Sequence, residues 1–253
     1  MGSLTKLLLA SDAASYKRAT NSPFLAAAAA GTLTKPLLSQ WLANDRLYIH
    51  AYIHGLGLLL SSLQLPVLSK PPTRANELVV KLLDWAVDAL VNIRREERLF
   101  VEAARRFGLD VDLPTQGGEI AEGAKIEGLR RFENLFASVG HSGNIILPWL
   151  ESALLFYATE RCYLDAWAGV KARMGPVQGA GDADGGALRD EFIPNWTSSE
   201  FGAFVERLGA IVDDAVALEV SLHGEGIKGK LLSRAQELWR EVLAAEETFW
   251  PKV

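Results

Sequence analysis

Apolar residues recur at intervals of three and four along most of this chain, and this spacing restricts its fold more than any other feature. Positions three and four apart share one face of an α-helix, so each such stripe predicts a helix with one buried side. Strand-like alternation is scarce, and no Asn-Gly or Asp-Gly turn separates two alternating runs. The sequence therefore predicts an all-α fold. Three of the stripes are Phe201, Val205, Leu208, Val212, Ala215; Leu231, Ala235, Leu238, Val242, Ala245, Phe249; and Leu82, Ala86, Leu90, Ile93, Phe100, Ala104, Phe107.

Breaks in this periodicity, marked by Pro and Gly, divide the chain into predicted helices. The break at 175–186 is the richest in Gly and Asp and is predicted to be a mobile loop. Although 253 residues could hold two small domains, each break is shorter than a usual linker, and we expect one domain over residues 1–253. The predicted helices span approximately 8–30, 34–63, 74–107, 117–139, 143–173, 188–194, 199–222 and 228–250.

Composition excludes several classes of function. The net charge of −5 and the lack of a basic stretch argue against nucleic-acid binding, and the longest apolar runs are too short to cross a membrane. A single cysteine, Cys162, rules out an internal disulfide and a multi-cysteine metal site, and it favours a cytoplasmic protein. The mixed-charge run from Arg94 to Arg98 predicts a solvated helix face with paired charges.

Three of the predicted long helices each carry one carboxylate within an aromatic stripe. An ionised carboxylate that is buried costs several kcal/mol unless it is paired or hydrogen-bonded, so the recurrence needs an explanation. The three stripes are Leu38, Trp41, Asp45, Tyr48, Tyr52; Trp149, Ala153, Phe156, Glu160, Tyr163, Trp167; and Trp239, Leu243, Glu246, Trp250.

Two explanations account for these carboxylates. In the first, Asp45, Glu160 and Glu246 converge on a pocket in the bundle core, and the aromatic rings form its walls. In the second, each acid lies at the edge of its stripe or hydrogen-bonds a buried Tyr or Trp. We expect the pocket, because three such placements occur in one chain. By contrast, Glu247 lies about 100° around the helix from Glu246 and is predicted to face solvent.

Other chemically capable residues form no site on the sequence alone. His50 and His54 are four apart on one helix, a spacing that can bind a metal, but no third ligand pattern accompanies them. Cys162 is turned about 200° from Glu160 and is predicted to be a packed thiol. There is no Gly-rich phosphate loop and no dinucleotide fingerprint. No metal and no cofactor is therefore predicted.

Several short motifs occur in the order found in a known family. Pro23-Phe24, Gly31-Thr32-Leu33, Trp41-Leu42 and Asp45-x-x-Tyr48 are similar to that family's N-terminal signature. The segment 192–196, Phe-Ile-Pro-Asn-Trp, resembles the short stretch before its penultimate helix, and 246–250, Glu-Glu-Thr-Phe-Trp, resembles its closing motif. On these residues the chain resembles the TenA (thiaminase II-like) family.

The resemblance implies a fold and a ligand. The fold would be an all-α, heme-oxygenase-like, multi-helical up-and-down bundle that binds no heme. The ligand would be a small aromatic heterocycle of the aminopyrimidine type, with Asp45 contacting its amino group and ring nitrogen and Glu246 acting as acid/base. Tyr48 and Phe249 would line the pocket. The other aromatic residues expected to contact substrate are Trp41, Phe136, Tyr163 and Trp196.

Two departures from the family pattern change the expected chemistry. The thiaminase II branch attacks with a cysteine in a Leu-Pro-Cys setting, whereas this chain has Leu147-Pro148-Trp149. Phe136 and Trp196 stand where the family carries tyrosines. The stretch 156–160, Phe-Tyr-Ala-Thr-Glu, instead resembles a second branch, common in eukaryotes, which lacks the cysteine and carries a glutamate in this helix.

These observations lead to a hypothesis and an alternative. The chain is expected to be a hydrolase-like protein of thiamin and pyrimidine salvage, acting on an aminopyrimidine or formylaminopyrimidine with Asp45, Glu160 and Glu246 as catalytic residues. The alternative is a non-catalytic binding or regulatory protein that keeps the pocket. A homo-oligomer is compatible with both. Heme-oxygenase activity is set aside, because residues 8–30 contain no histidine to serve as a proximal ligand.

Overall fold

The structure is a computed structural model that describes residues 3–67, 73–121, 123–140, 149–176 and 181–253. Within these ranges the chain is helical apart from one two-stranded hairpin, which confirms the predicted all-α class. The elements are α1 Leu4–Ser11, α2 Ala13–Thr20, α3 Pro23–Ala30, α4 Lys35–Ser62, α5 Arg74–Phe107, β1 Thr115–Gln116, β2 Glu119–Ile120, α6 Glu127–Ala137, α7 Leu150–Arg173, a π-helical turn Leu188–Phe192, α8 Ile193–Trp196, α9 Ser199–His223 and α10 Gly226–Glu247.

The N-terminal region differs from the single helix predicted over 8–30. It forms three short helices because side chains within it cap new helix starts. Asp12 accepts a hydrogen bond from the Ser15 amide at the start of α2, and Ser22 accepts one from the Leu25 amide at the start of α3. Pro23 then occupies the first turn of α3, where its missing N–H costs nothing. The apolar stripe continued through these caps and concealed the breaks.

The helix predicted from residue 117 was also placed too early. Residues 115–120 form the hairpin, with Thr115 opposite Ile120, and the connecting Gly117 and Gly118 both have positive φ angles, of 64° and 88°. The helix begins only at Glu127. The helix predicted over 143–173 is described from Leu150, and residues 143–148 lie outside the described ranges.

The long helices form two groups, one around α4 and one around α7. Helix α4 packs against α5 and α6, while α7 packs against α9 and α10. Contacts between α5 and α9, and between α6 and α10, join the two groups into one bundle. The short helices α2 and α3 both pack on α7. Helices α4, α5 and α7 all contribute residues to one cavity in this bundle.

The loop predicted to be mobile at 175–186 falls partly on residues 177–180, which lie outside the described ranges. The rest of it is tied to the bundle. The Ala183 amide donates to the Gly31 carbonyl over 2.8 Å, and Arg189 forms an ion pair with Asp182 at 2.6 Å. Asp184 is buried and accepts hydrogen bonds from the amides of Gly186 and Leu188. These bonds lead the chain directly into the π-helical turn.

None of the helices in the described ranges combines the length and apolar character that a bilayer-spanning helix needs.

The closest backbone approach that positions the site is between α6 and the end of α10. The Gly128 amide donates to the Thr248 carbonyl over 3.1 Å. A Cβ on residue 128 would lie 2.7 Å from the Ala245 carbonyl oxygen and closer still to the backbone nitrogen of Phe249. Only glycine allows this contact, which places the α10 terminus against α6.

We predict that Gly128→Ala destabilises the protein by roughly 1–3 kcal/mol, because backbone atoms on both sides cannot move out of the way. Gly202→Ala is the matched control, since nothing lies within 4 Å of a Cβ at that helical position. It should be neutral or stabilising by up to about 1 kcal/mol. Urea unfolding of both variants measures the difference. Equal stability of the two would contradict the described contact.

Candidate functional site: a carboxylate-lined cavity in the bundle

A cavity opens between α4, α5, α7 and the α8–α9 segment. Its volume, measured as the space open to the centre of a water molecule, is about 70 Å³. Since one water needs about 10–15 Å³ by this measure, the space suits several waters or one small ring. The residues that line it are Asp45, Tyr48, Ile49, Tyr52, Ala89, Asn92, Ile93, Arg95, Glu96, Glu160, Tyr163, Asn195, Trp196, Ser198, Glu200, Phe201 and Phe204.

Asp45 enters the cavity from α4 and is almost fully buried, with 2% of its surface exposed. The Tyr163 hydroxyl donates to its Oδ2 over 3.2 Å. Burial raises the pKa of Asp45 well above its usual range, the charge of Glu96 raises it further, and the Tyr163 hydrogen bond lowers it. The net effect favours the protonated acid in the empty cavity.

Glu160 enters from α7 and is held in the same way. The Tyr52 hydroxyl of α4 donates to its Oε1 over 2.5 Å. Burial raises the pKa of Glu160 to about 8, opposed by this hydrogen bond and assisted by the charge of Glu96. Helices α4 and α7 each contribute one acid and one tyrosine, and each tyrosine donates a hydrogen bond to the acid of the other helix.

Glu246 is the third predicted acid. It is 3% exposed near the end of α10, and it is not among the residues that line the cavity. Burial raises its pKa well above the usual range, and the charges of Asp45 and Glu160 raise it further. The fold therefore brings the three acids within electrostatic reach of one another, with two in the cavity wall and Glu246 outside the lining.

The predicted aromatic contacts divide into two layers. Tyr48, Tyr163 and Trp196 line the cavity. Trp41, Phe136 and Phe249 do not, and they pack against the rings that do. The ring of Phe249 lies 5.6 Å from Tyr48, Phe136 lies 5.5 Å from Tyr48, and Trp41 lies 5.7 Å from Trp196, measured between centroids. This second layer packs against the lining rings from behind and contributes no side chain to the cavity wall.

Glu96 is the functional candidate that the sequence interpretation missed. The run from Arg94 to Arg98 was expected to be a solvated face, and this is wrong for Glu96 and Glu97. Glu96 lines the cavity, where the Trp196 indole N–H donates to its Oε1 over 2.6 Å. Burial raises the pKa of Glu96 to about 7, against the lowering effects of Trp196 and Arg95. Glu97 is buried on another face, where Arg46, Arg94 and His50 pair with it.

The signal for Glu96 was present in the sequence. It lies three residues after Ile93 and four before Phe100, on the same α5 stripe. This is the arrangement that singled out the other three acids. The neighbouring arginines masked it, because a run of mixed charge is typical of an exposed face.

Two other side chains take no part in the cavity. Cys162 is buried and does not line it, and burial raises the pKa of the thiol well above its usual range. A thiol in this state is a poor nucleophile. His50 pairs with Glu97, and among the described residues no group of His, Cys, Asp or Glu side chains is arranged to hold a metal ion.

Solved structures with this architecture are TenA proteins. A TenA homologue from Pyrococcus furiosus matches with a TM-score of 0.71 at 24% identity, over 98% of each chain. A TenA family transcription regulator from Silicibacter sp. TM1040 has a TM-score of 0.65 at 16% identity, over 98% of this chain and 95% of that one. A TenA homologue from P. horikoshii OT3 has a TM-score of 0.63 at 17% identity, over 98% of this chain and 99% of that one. The chain has the TenA fold.

At these identities the likeness establishes the fold, and it confirms the heme-oxygenase-like bundle that the sequence motifs implied. No family profile matches the sequence. A curated protein of Fusarium pseudograminearum (strain CS3096), described as a probable transcription factor, is 24% identical, and the match covers 88% of this chain. The chain spans about half the length, 48%, of that relative.

One of two TenA-like segments of the sequence supplies residues that line the cavity, and the other is buried outside the lining. The segment 192–196 forms the end of the π-helical turn and α8, and it brings Asn195 and Trp196 to the cavity wall. The closing motif lies at the end of α10, where Glu246 and Phe249 are both buried. Of the Leu147-Pro148-Trp149 segment, residues 147 and 148 lie outside the described ranges, and Trp149 is buried before α7.

The raised pKa of Glu160 predicts a pH-dependent stability. The native state holds the Glu160 proton up to a pKa of about 8, whereas the unfolded chain releases it near the ordinary glutamate pKa of 4.5. The stability from this group is therefore complete below pH 4.5 and is lost as the pH rises through 8. Between pH 5 and 9 the unfolding free energy of Glu160→Gln should fall by less than that of the wild type. The difference between the two falls should be up to a few kcal/mol. Urea unfolding at both pH values measures this loss.

Glu102→Gln is the control for this comparison, because Glu102 is an exposed carboxylate on α5 that does not line the cavity. Its stability should follow the wild-type pH dependence. A Glu160→Gln profile parallel to that of the wild type would show that Glu160 does not retain a proton in the native protein.

Proposed function

We propose that this protein is a hydrolase-like enzyme of pyrimidine salvage that acts on an aminopyrimidine or formylaminopyrimidine by carboxylate acid/base catalysis. The observation that supports it is the cluster formed by Asp45, Glu160 and Glu246. Asp45 and Glu160 line an aromatic-walled cavity, Glu246 is buried outside the lining, and the charges of Asp45 and Glu160 raise the pKa of Glu246. Such pairs of interacting acids are typical of sites that donate and accept protons.

The cavity suits a planar ring with several N–H groups. Tyr48, Tyr163 and Trp196 offer ring faces and edges, which add stacking to the gain from apolar burial. Asp45 has one oxygen bonded to Tyr163, and its other oxygen has no hydrogen bond from any described residue. In this proposal the protonated acid donates from that oxygen to the ring nitrogen of the ligand, and Oδ2 accepts a further hydrogen bond from the adjacent exocyclic amino group.

The proposed reaction is hydrolysis of the formamide bond. In the reactive form Glu246 has lost the proton that its raised pKa favours, and its carboxylate takes a proton from water as the water oxygen attacks the formyl carbon. Glu160, which carries a proton up to a pKa of about 8, gives that proton to the departing nitrogen as the carbon–nitrogen bond breaks. Formate and the free amine result. For Glu246 to act as the base, the attacking water must reach it. Because Glu246 is outside the cavity lining, it is the residue to test first.

A non-catalytic regulatory role is the second candidate, and the names of two relatives favour it. The Silicibacter protein is called a transcription regulator, and the Fusarium relative a probable transcription factor. A chain with the TenA fold and no cysteine nucleophile at the cavity could bind an aminopyrimidine and report its presence. Because this chain spans 48% of the Fusarium relative, the activity of that longer protein transfers to it only as a proposal.

We further propose a cytoplasmic location, because one buried free cysteine suits a reducing compartment. A homo-oligomer is compatible with either function.

Glu246→Gln should abolish hydrolysis of a formylaminopyrimidine, with a fall in kcat of roughly 100-fold or more, since an amide cannot act as the base. The neighbouring Glu247→Gln is the matched control, because Glu247 is exposed and pairs with Arg18 at the surface. Its kcat should stay within about twofold of the wild type. Steady-state kinetics with both variants, with circular dichroism to confirm folding, makes the comparison. Full activity of Glu246→Gln would remove Glu246 from the mechanism.

Release of formate separates the enzyme from the regulator. Both functions predict that an aminopyrimidine binds, so affinity alone does not distinguish them. Only the enzyme releases one formate for each formylaminopyrimidine consumed, in amounts far above that of the protein. A coupled formate assay measures this directly. Binding without formate release would favour the regulatory role.

A further inference from the structure

The three inner carboxylates of the cavity share one pattern of bonding. Each accepts one hydrogen bond from a neutral aromatic donor: Asp45 from Tyr163, Glu96 from Trp196 and Glu160 from Tyr52. In each case one oxygen takes the bond, and the other has no hydrogen bond from any residue in the described ranges. The site therefore offers three unused acceptors from three different helices.

The charges around the cavity are one-sided. Four carboxylates, those of Asp45, Glu96, Glu160 and Glu200, line it against one guanidinium, that of Arg95. Arg95 and Glu200 are exposed, so solvent screens their charges. Arg95 lowers the pKa of Glu96, but none of the three inner acids forms an ion pair with a cation in the described ranges.

The walls between these acids are aromatic. Tyr48, Tyr52, Tyr163, Trp196, Phe201 and Phe204 all contribute to the lining. Ring faces attract cations as well as stacking on planar groups. Each inner acid has one carboxylate oxygen without a hydrogen bond from the described residues and no ion-pair partner among them, and aromatic rings lie between the acids. These features are together complementary to a planar, positively charged ligand.

We propose that the cavity takes its ligand as a cation, a planar ring bearing an amidinium or ammonium group, and that Glu96 is a ligand-contacting residue that holds this group. The inference rests on the proposed function for the location of the ligand. Trp196 is a positioning residue for Glu96, since its indole N–H holds Oε1 and leaves Oε2 for the ligand. Charge-assisted hydrogen bonds from a cation to carboxylates are stronger than those from a neutral ring.

Proton release accompanies this binding. Burial raises the pKa of Glu96 to about 7, so this acid retains a proton at and below neutral pH. A cation held by Glu96 favours the ionised form of that carboxylate and displaces its proton, so the affinity for the cation rises as the pH increases from 6 to 9. The titratable groups around the cavity are Asp45, Tyr48 and Tyr52 of α4, Arg95 and Glu96 of α5, Glu160 and Tyr163 of α7, Glu200 of α9 and Glu246 of α10.

Benzamidine and benzamide test the inference, because they have nearly the same shape and only benzamidine is a cation throughout this pH range. Isothermal titration of the full chain at pH 8 should show benzamidine binding roughly tenfold or more tightly than benzamide. Titrations in buffers of different ionisation enthalpy should reveal proton release with benzamidine only. Equal affinity for the two probes, or binding of neither, would overturn the inference.

Two variants test the role of Glu96. Glu96→Gln should weaken benzamidine binding roughly tenfold or more and leave benzamide binding unchanged. Glu102→Gln, exposed on the same helix, should change neither. If both variants bind benzamidine as the wild type does, Glu96 does not hold the cation. The test uses no turnover, so a cation-selective protein that releases no formate would fail only the proposed enzyme function.

Discussion

The pairing of buried carboxylates with neutral aromatic donors is the interaction on which the site depends. A carboxylate removed from water costs several kcal/mol, and one hydrogen bond from a tyrosine or an indole offsets part of this without cancelling the charge. The acids of the cavity therefore keep a raised pKa and remain able to exchange protons near neutral pH. Glu96 and Glu97 show the contrast. Glu96 has an indole donor and faces the cavity, whereas Glu97 is paired by arginines.

This pairing also explains how the helices are arranged. Asp45 and Tyr52 lie on α4, Glu160 and Tyr163 lie on α7, and each tyrosine donates to the acid of the opposite helix. Behind them, the second aromatic layer is held by packing. The indole N–H groups of Trp41 and Trp167 are buried without a partner among the described residues, at a cost of roughly 1–3 kcal/mol each. Dense ring contacts compensate for this cost.

The TenA fold and the cavity chemistry fit together without a cysteine nucleophile. Cys162, the one cysteine of the chain, is buried away from the lining with a raised pKa, so acids and not a thiol are the groups available for chemistry. The enzyme and the regulator would share this cavity and the same preference for a ligand rich in N–H groups. They differ in one respect. In the enzyme an ionised carboxylate and a protonated one act together to break a bond of the ligand, whereas the regulator binds the ligand and breaks no bond.

Local periodicity was enough to determine the all-α class, the long helices and three of the four acids at or behind the cavity, because spacing along a helix is a property of sequence alone. Tyr163 of the α7 stripe lines the cavity, as does Trp196, which was expected from the family resemblance and not from periodicity. Capping by Asp12 and Ser22, and the glycine turn at 117–118, depend on short-range hydrogen bonds and φ angles that a long apolar stripe conceals.

Only the tertiary structure decided which acids face the cavity. Helices α5 and α8 meet through chain far apart in sequence, and this meeting turns Glu96 inward onto Trp196 while Glu246 stays outside the lining. A residue's own helix fixes the direction of its side chain, but the packing of neighbouring helices decides whether that direction leads to solvent, to a salt bridge or to a cavity.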